Sequence, residues 1–120
     1  MPISERAAKA KLGDIVIVPF PYSEKLAEKR RPALVISNEL VASRGYVWLA
    51  MITSARRGQE TDDVRVEDFE RAGLEKVSLV RPTKIACLEP SRIIRRAGSL
   101  SPSLAAKVFD TAKSFIGPRG

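Results

Sequence analysis

The sequence predicts a mainly β domain, a small barrel or half-barrel with one helix packed on it at the C-terminal end. Three observations carry that prediction. Short apolar runs recur along the chain with turn residues between them; only the last stretch sustains a helical period; and 120 residues suit one domain built on one core. Closing such a sheet into a barrel removes most of its exposed edges.

Taken in order, residues 1–12 alternate charge and alanine and lack the apolar centre of a secretory signal, so they read as a flexible N-terminal arm ahead of a single domain at 13–117. Residues 15–20 form a strand that is apolar on both faces apart from Pro19, an edge or bulge position. Pro21-Tyr22-Ser23 turns the chain, and residues 24–31 make a charged, glycine-free loop whose length marks it as functional. Ala33-Leu34-Val35-Ile36 reads as a central strand, and residues 38–45 as a connection ending in Gly45. Residues 46–53 are nearly all apolar and should be the most buried strand. Arg56-Arg57-Gly58-Gln59 is a polar turn, and the alternation at Asp62, Val64 and Val66 fits a half-exposed strand. Residues 67–74 read as one helical turn closed by Gly73. Residues 77–81 and 84–88 are two short strands, or one strand bent at Pro82, with Ile93 and Ile94 near a last edge or turn.

The final helix is the clearest element. Ser101 stands at the N-cap position and Pro102 at the first helical position. Leu104, Ala105, Val108, Phe109, Ala112, Phe115 and Ile116 recur on one face, with Lys107 and Lys113 outside that stripe, and Gly117-Pro118 stops the helix. The stripe reads as core packing, not as a cofactor box.

Composition narrows the chemistry. Lysine and arginine total 21 against 14 acidic residues, a net charge of +7 that suits a polyanionic partner, most simply nucleic acid; a charge that only aids solubility is the alternative, and charge by itself leaves both open. No apolar run approaches the roughly 20 residues of a membrane-spanning helix, so no membrane partner is expected. The lone cysteine, Cys87, excludes an internal disulfide framework and a multi-cysteine metal site, and its apolar setting predicts a buried, inert thiol. The chain has no histidine, which excludes a Ser-His-Asp or Cys-His triad, a histidine-metal site and a two-histidine acid–base pair. Catalysis would rest on Arg, Lys, carboxylates, hydroxyls or backbone amides. No phosphate loop of Walker A spacing is present. Asp62 and Asp63 are adjacent, so a strand points them to opposite faces, and Glu67-Asp68-Glu70 reads as a solvated helix start. Neither a metal nor a cofactor is expected.

The candidate site residues cluster at strand ends. Arg30 and Arg31 precede Pro32, which restricts Arg31 to extended backbone, and a guanidinium held at a strand start can grip phosphate bidentately. Thr53 and Ser54 end the apolar strand, where hydroxyls donate to a phosphate or a leaving oxygen, or else satisfy their own turn. Arg56 and Arg57 extend a phosphate track, and Arg81, Thr83 and Lys84 around Pro82 supply a further edge or a solvated turn. Tyr22 stands beside the basic loop, where it would stack a base.

Gly13-Asp14-Ile15-Val16, Arg31-Pro32-Ala33-Leu34-Val35-Ile36-Ser37, Ala50-Met51-Ile52-Thr53-Ser54, Ser78-Leu79-Val80-Arg81-Pro82-Thr83-Lys84-Ile85 and the closing helix, in this order, resemble the MazF/PemK family over nearly the whole chain. The resemblance implies an SH3-like barrel of the MazF/CcdB kind, a homodimer, and the toxin of a type II toxin–antitoxin pair. It further implies a cytoplasmic, metal-independent endoribonuclease that cleaves single-stranded RNA at short sequences, an mRNA interferase. The catalytic roles it carries over fall on Arg31 and Thr53. Arg30, Ser54, Arg56, Arg57, Arg81, Thr83 and Lys84 are the expected RNA-binding set, and the same cations would attract an acidic cognate antitoxin. The general base is open between Glu24, Glu28 and the partner subunit. The chain departs from the family where residues 23–30 contain no glycine or glutamine, and where residues 81–84 carry no acid or amide. Two other classes stand beside the nuclease: a non-catalytic toxin barrel that binds a protein target such as DNA gyrase, and a plain nucleic-acid-binding barrel.

Overall fold

The computed structural model describes residues 10–19 and 29–119. The expectations for the arm at 1–9, the Pro21-Tyr22-Ser23 turn and the loop at 24–28 lie outside them.

The chain runs β1 (Asp14–Pro19), β2 (Arg30–Val35), α1 (Glu39–Ala42), β3 (Val47–Ser54), a 3-10 turn (Ala55–Arg57), β4 (Val64–Val66), β5 (Ser78–Leu88), a second 3-10 turn (Pro90–Arg92), β6 (Arg95–Ser99) and α2 (Pro102–Ser114). The strands make one antiparallel sheet in the order β4-β5-β3-β2-β1-β6. The sheet curls until its two ends approach. The turn that follows β4 lies against β6, so closely that a Cβ on Gly98 would stand 2.3 Å from the Ala72 carbonyl oxygen, and one on Gly73 2.1 Å from that of Ala97. Only glycines fit at that seam. Among the described residues, no helix is long and apolar enough to cross a membrane.

The three central strands are buried on both faces, which explains their unbroken apolar runs. Ile15, Leu34, Ala50 and Ile52 face a core that also takes Val64, Val66, Leu74, Val80 and Leu100, and α2 covers it with Ala105 and Val108. Val16, Val18, Ala33, Val35, Val47, Leu49 and Met51 form the opposite cluster with Ala86 and Ile93, and Ala10 packs on it. The N-terminal edge of the domain is pinned by Asp14, which accepts from the Lys11 backbone N–H at 2.9 Å and pairs with Arg96 of β6 at 3.1 Å.

Several expectations are corrected. Cys87 is exposed, because it pairs with Trp48 on the face of the sheet opposite the cluster of Val47, Leu49 and Ala86, and Trp48 is itself 41% exposed although its strand is the apolar centre of the sheet. Residues 67–74 are a chain of turns rather than helix; Gly73 still closes them, with φ +82°. The connection at 38–45 holds α1, capped by the Asn38 side chain accepting from the Leu40 N–H. For segments 77–81 and 84–88 the second of the two expected alternatives holds: they are one strand, β5, irregular near Pro82. Pro19 lies inside the sheet, but beyond Ile17–Arg95, the last β1–β6 pair, so its missing N–H costs no ladder bond there. The last edge or turn expected near Ile93 and Ile94 is an edge strand, β6, that starts just beyond them: Arg-Arg-Ala-Gly-Ser has weak β-propensity, and its pairing with β1 decides its conformation. In α2, Ser101 occupies the N-cap without a side-chain cap bond, and the stripe's last members, Phe115 and Ile116, are exposed.

Candidate functional site

The site lies where β2 begins and β3 ends. These strands run antiparallel with Ala33 opposite Met51, so continuing the register by two residues sets Arg31 opposite Thr53. The arginine is thereby anchored at the start of one strand and the hydroxyl at the end of its neighbour. Pro32 holds the Arg31 backbone extended, and the Arg31 Nε is shut off from solvent.

Two cavities meet at this pair. The larger, 370 Å³, is lined on one side by Arg30, Arg31, Thr53 and Ser54 and on the other by residues 73–76 and Arg95. The smaller, 230 Å³, is lined by Arg31, Met51, Thr53, Arg57, Arg81 and Lys84. Of the expected residues, Arg30, Arg31, Thr53, Ser54, Arg57, Arg81 and Lys84 are therefore brought together. Thr83 faces elsewhere, into a hollow shared with Glu60, Asp62 and Asp63. Arg56 is exposed on the 3-10 turn, and its backbone N–H donates to Ser54 Oγ at 3.2 Å, so that hydroxyl caps the turn beside the site.

The wall of the smaller cavity comes from an irregularity in β5. Ala50 pairs with Ile85, and Ile52 with Val80, so Met51 alone faces the four residues 81–84. Pro82, fully buried, cannot donate to the ladder, and the strand bulges there. The bulge directs Arg81 and Lys84 into the cavity. Arg81 is engaged: its Nε donates to Asp63 Oδ1 at 3.1 Å, its Nη2 to Asp63 Oδ2 at 2.9 Å and to the Gly58 carbonyl at 3.3 Å, and its Nη1 lies 3.2 Å from a Glu60 carboxylate oxygen. The Asp63 side chain is only 1% exposed. Burial alone would raise its pKa; the hydrogen bonds from Arg81 and from the Glu60 backbone N–H, with the charge of Arg81, outweigh burial and hold it below the usual 3.8. Arg81 is correspondingly raised by the Asp63 hydrogen bond. No local pattern signals this latch, because Asp63 and Arg81 are 18 residues apart. The hollow formed by Arg30, Arg31, Lys76, Arg95, Arg57 and Lys84 remains a basic cleft with a threonine at its centre.

A small curled antiparallel β-sheet with a terminal helix, carrying an arginine and a threonine in a basic cleft, defines the class by its fold, and the comparisons with known proteins agree on that fold. The chain is similar to the toxin MazF-mt6 of Mycobacterium tuberculosis, with 24% identity over 85% of this chain and 93% of that one, at a TM-score of 0.65. It is similar to MazF of Deinococcus radiodurans, with 22% identity over 91% of this chain and 97% of that one, at a TM-score of 0.70. An endoribonuclease from a mycobacterial species, solved in complex with its cognate antitoxin, shares 15% identity over 88% of this chain and 90% of its own, at a TM-score of 0.63. These likenesses establish the fold. A search of the curated proteins returns no match. Residues 11–116 match the family described as the PemK-like, MazF-like toxin of type II toxin-antitoxin systems, and the chain belongs to that family.

Proposed function

We propose that the protein is a metal-independent endoribonuclease acting on single-stranded RNA, the toxin of a type II toxin–antitoxin pair. The observation that carries this reading is that Arg31 and Thr53 both line each of two adjoining basic cavities. The nucleophile is the substrate's own 2′-hydroxyl. The 2′-hydroxyl releases its proton to solvent water as its oxygen forms a bond to the adjacent phosphorus, the bond from phosphorus to the 5′-oxygen breaks, and the 5′-oxygen takes up a proton from water, leaving a 2′,3′-cyclic phosphate and a 5′-hydroxyl. Such a reaction needs neither histidine nor a metal from the protein. It needs the strand aligned and the charge on the phosphoryl oxygens met by fixed donors. Arg31 meets that charge and Thr53 orients the phosphate.

Arg30, Ser54, Arg57 and Lys84 hold the flanking strand, while Arg81, engaged by two carboxylates, holds the wall of the cleft in shape. The protein works in the cytoplasm as a homodimer, restrained by an acidic antitoxin. Deinococcus radiodurans MazF is known as a MazE-MazF complex, which supports an antitoxin partner for this chain too. The reading is tested by incubating the purified protein in EDTA with a long unstructured RNA and with DNA of the same sequence. RNA alone should be cut. Intact RNA, or cleavage of both strands, would overturn it.

A further inference from the structure

We propose that the larger cavity is a nucleotide subsite beside the scissile phosphate, with Lys76 and Arg95 as its phosphate-binding cations; this rests on the nuclease reading above. A polynucleotide cut at its middle must extend to both sides of the cut, and the structure offers a cavity on each side of the Arg31–Thr53 floor. The larger one has 370 Å³, within the roughly 300–1,000 Å³ of small-molecule sites. Its walls include Ile17, Leu74 and Ile94, apolar surfaces against which a base can lie. Among the described residues its charged lining is Arg30, Arg31, Lys76 and Arg95 with the acid Glu75.

Lys76 and Arg95 reach the cavity from different elements, and the backbone under each is fixed. The Lys76 carbonyl accepts from Ser78 Oγ at 2.8 Å, and Ile94, next to Arg95, donates its N–H to the Ile17 carbonyl at 2.8 Å. The seam of Gly73 on Gly98 locks the turn carrying Lys76 to the strand carrying Arg95. Two exposed cations held this way on one rim, above a pocket with an apolar wall that opens on the reacting pair, match one nucleotide: base inward, phosphate at the rim.

The test uses the full chain and an RNA that the wild type cuts, with a copy blocked by 2′-O-methyl at the cut nucleotide. The Lys76→Ala/Arg95→Ala variant should raise KM roughly tenfold with kcat unchanged, as loss of uniform binding does. On the blocked RNA it should flatten the slope of log affinity against log salt by roughly 1.4, two contacts at about 0.7 each. Lys113→Ala, on the exposed end of α2, should change neither. If the wild type cuts RNA while the double variant keeps its KM and salt slope, or matches Lys113→Ala, the subsite is wrong and the nuclease reading stands. A fall in kcat at constant KM would also overturn the subsite. If the wild type cuts no RNA, both fall.

Discussion

In the proposed reaction the Arg31 guanidinium meets the charge that develops on the phosphoryl oxygens. Arg31→Ala should lower the cleavage rate by roughly 10²–10³, the scale of losing one preorganised donor to a developing oxyanion. Lys107→Ala, on the outer side of α2, should leave it unchanged, once circular dichroism shows both variants folded. Cleavage by Arg31→Ala at the parental rate would remove Arg31 from the mechanism. Asp63 makes a different prediction. Its pKa is lower in the folded than in the unfolded chain, so its contribution to stability is complete above the unfolded value and fades as pH falls through the lowered one. Asp63→Asn should cost about 3 kcal/mol near neutrality, because it strips a nearly buried arginine of its bidentate partner. In urea unfolding, the gap between variant and wild type should hold steady above about pH 5 and narrow below about pH 4. A gap that does not change with pH would mean that the carboxylate's charge is not what Arg81 needs.

At the scale of elements, the seam between the β4–β5 connection and β6 is what turns an open sheet into a half-closed barrel. Gly98→Ala drives a Cβ to 2.3 Å from a backbone carbonyl, where no side-chain movement relieves it, and should cost about 3 kcal/mol. Gly58→Ala meets nothing within 4 Å and bears only the strain of φ +91°, about 1–2 kcal/mol. Thermal melts that rank the two the other way would show that the seam yields. The central strands and α2 were legible in the sequence because burial on two faces, or on one helical stripe, writes a period into the residues. β6 was legible only as a last edge or turn, since its place comes from pairing with β1. The turns at 67–74 were misread because acids followed by apolar residues and a glycine imitate a capped helix. The site was legible in part: Arg31 and Thr53 stand at strand ends that the apolar runs mark out. The Asp63–Arg81 latch follows from the pairing of β4 with β5, and Lys76 and Arg95 come together through the curl of the sheet; no local pattern encodes either.

For the whole molecule, a net charge of +7 favours polyanionic partners, and Arg30, Arg31, Arg57, Lys76, Lys84 and Arg95 line the two cavities that Arg31 and Thr53 share. An acidic antitoxin segment, disordered until it binds, should occupy the same cations as RNA. The segment and a non-cleavable RNA should therefore displace each other, both bound more weakly as salt rises. Simultaneous, independent binding of the two would mean that inhibition does not act through the cleft. The account's central claim is that the substrate supplies its own nucleophile while the protein supplies Arg31 and Thr53. Its most direct test takes an RNA whose cut site has been mapped and remakes it with one 2′-deoxynucleotide on the 5′ side of that bond. In EDTA, the parent strand should give 2′,3′-cyclic phosphate and 5′-hydroxyl ends, and the substituted bond should stay whole. Cleavage of the deoxy-bearing bond, or loss of all parental cleavage in EDTA with return on adding magnesium, would contradict the account.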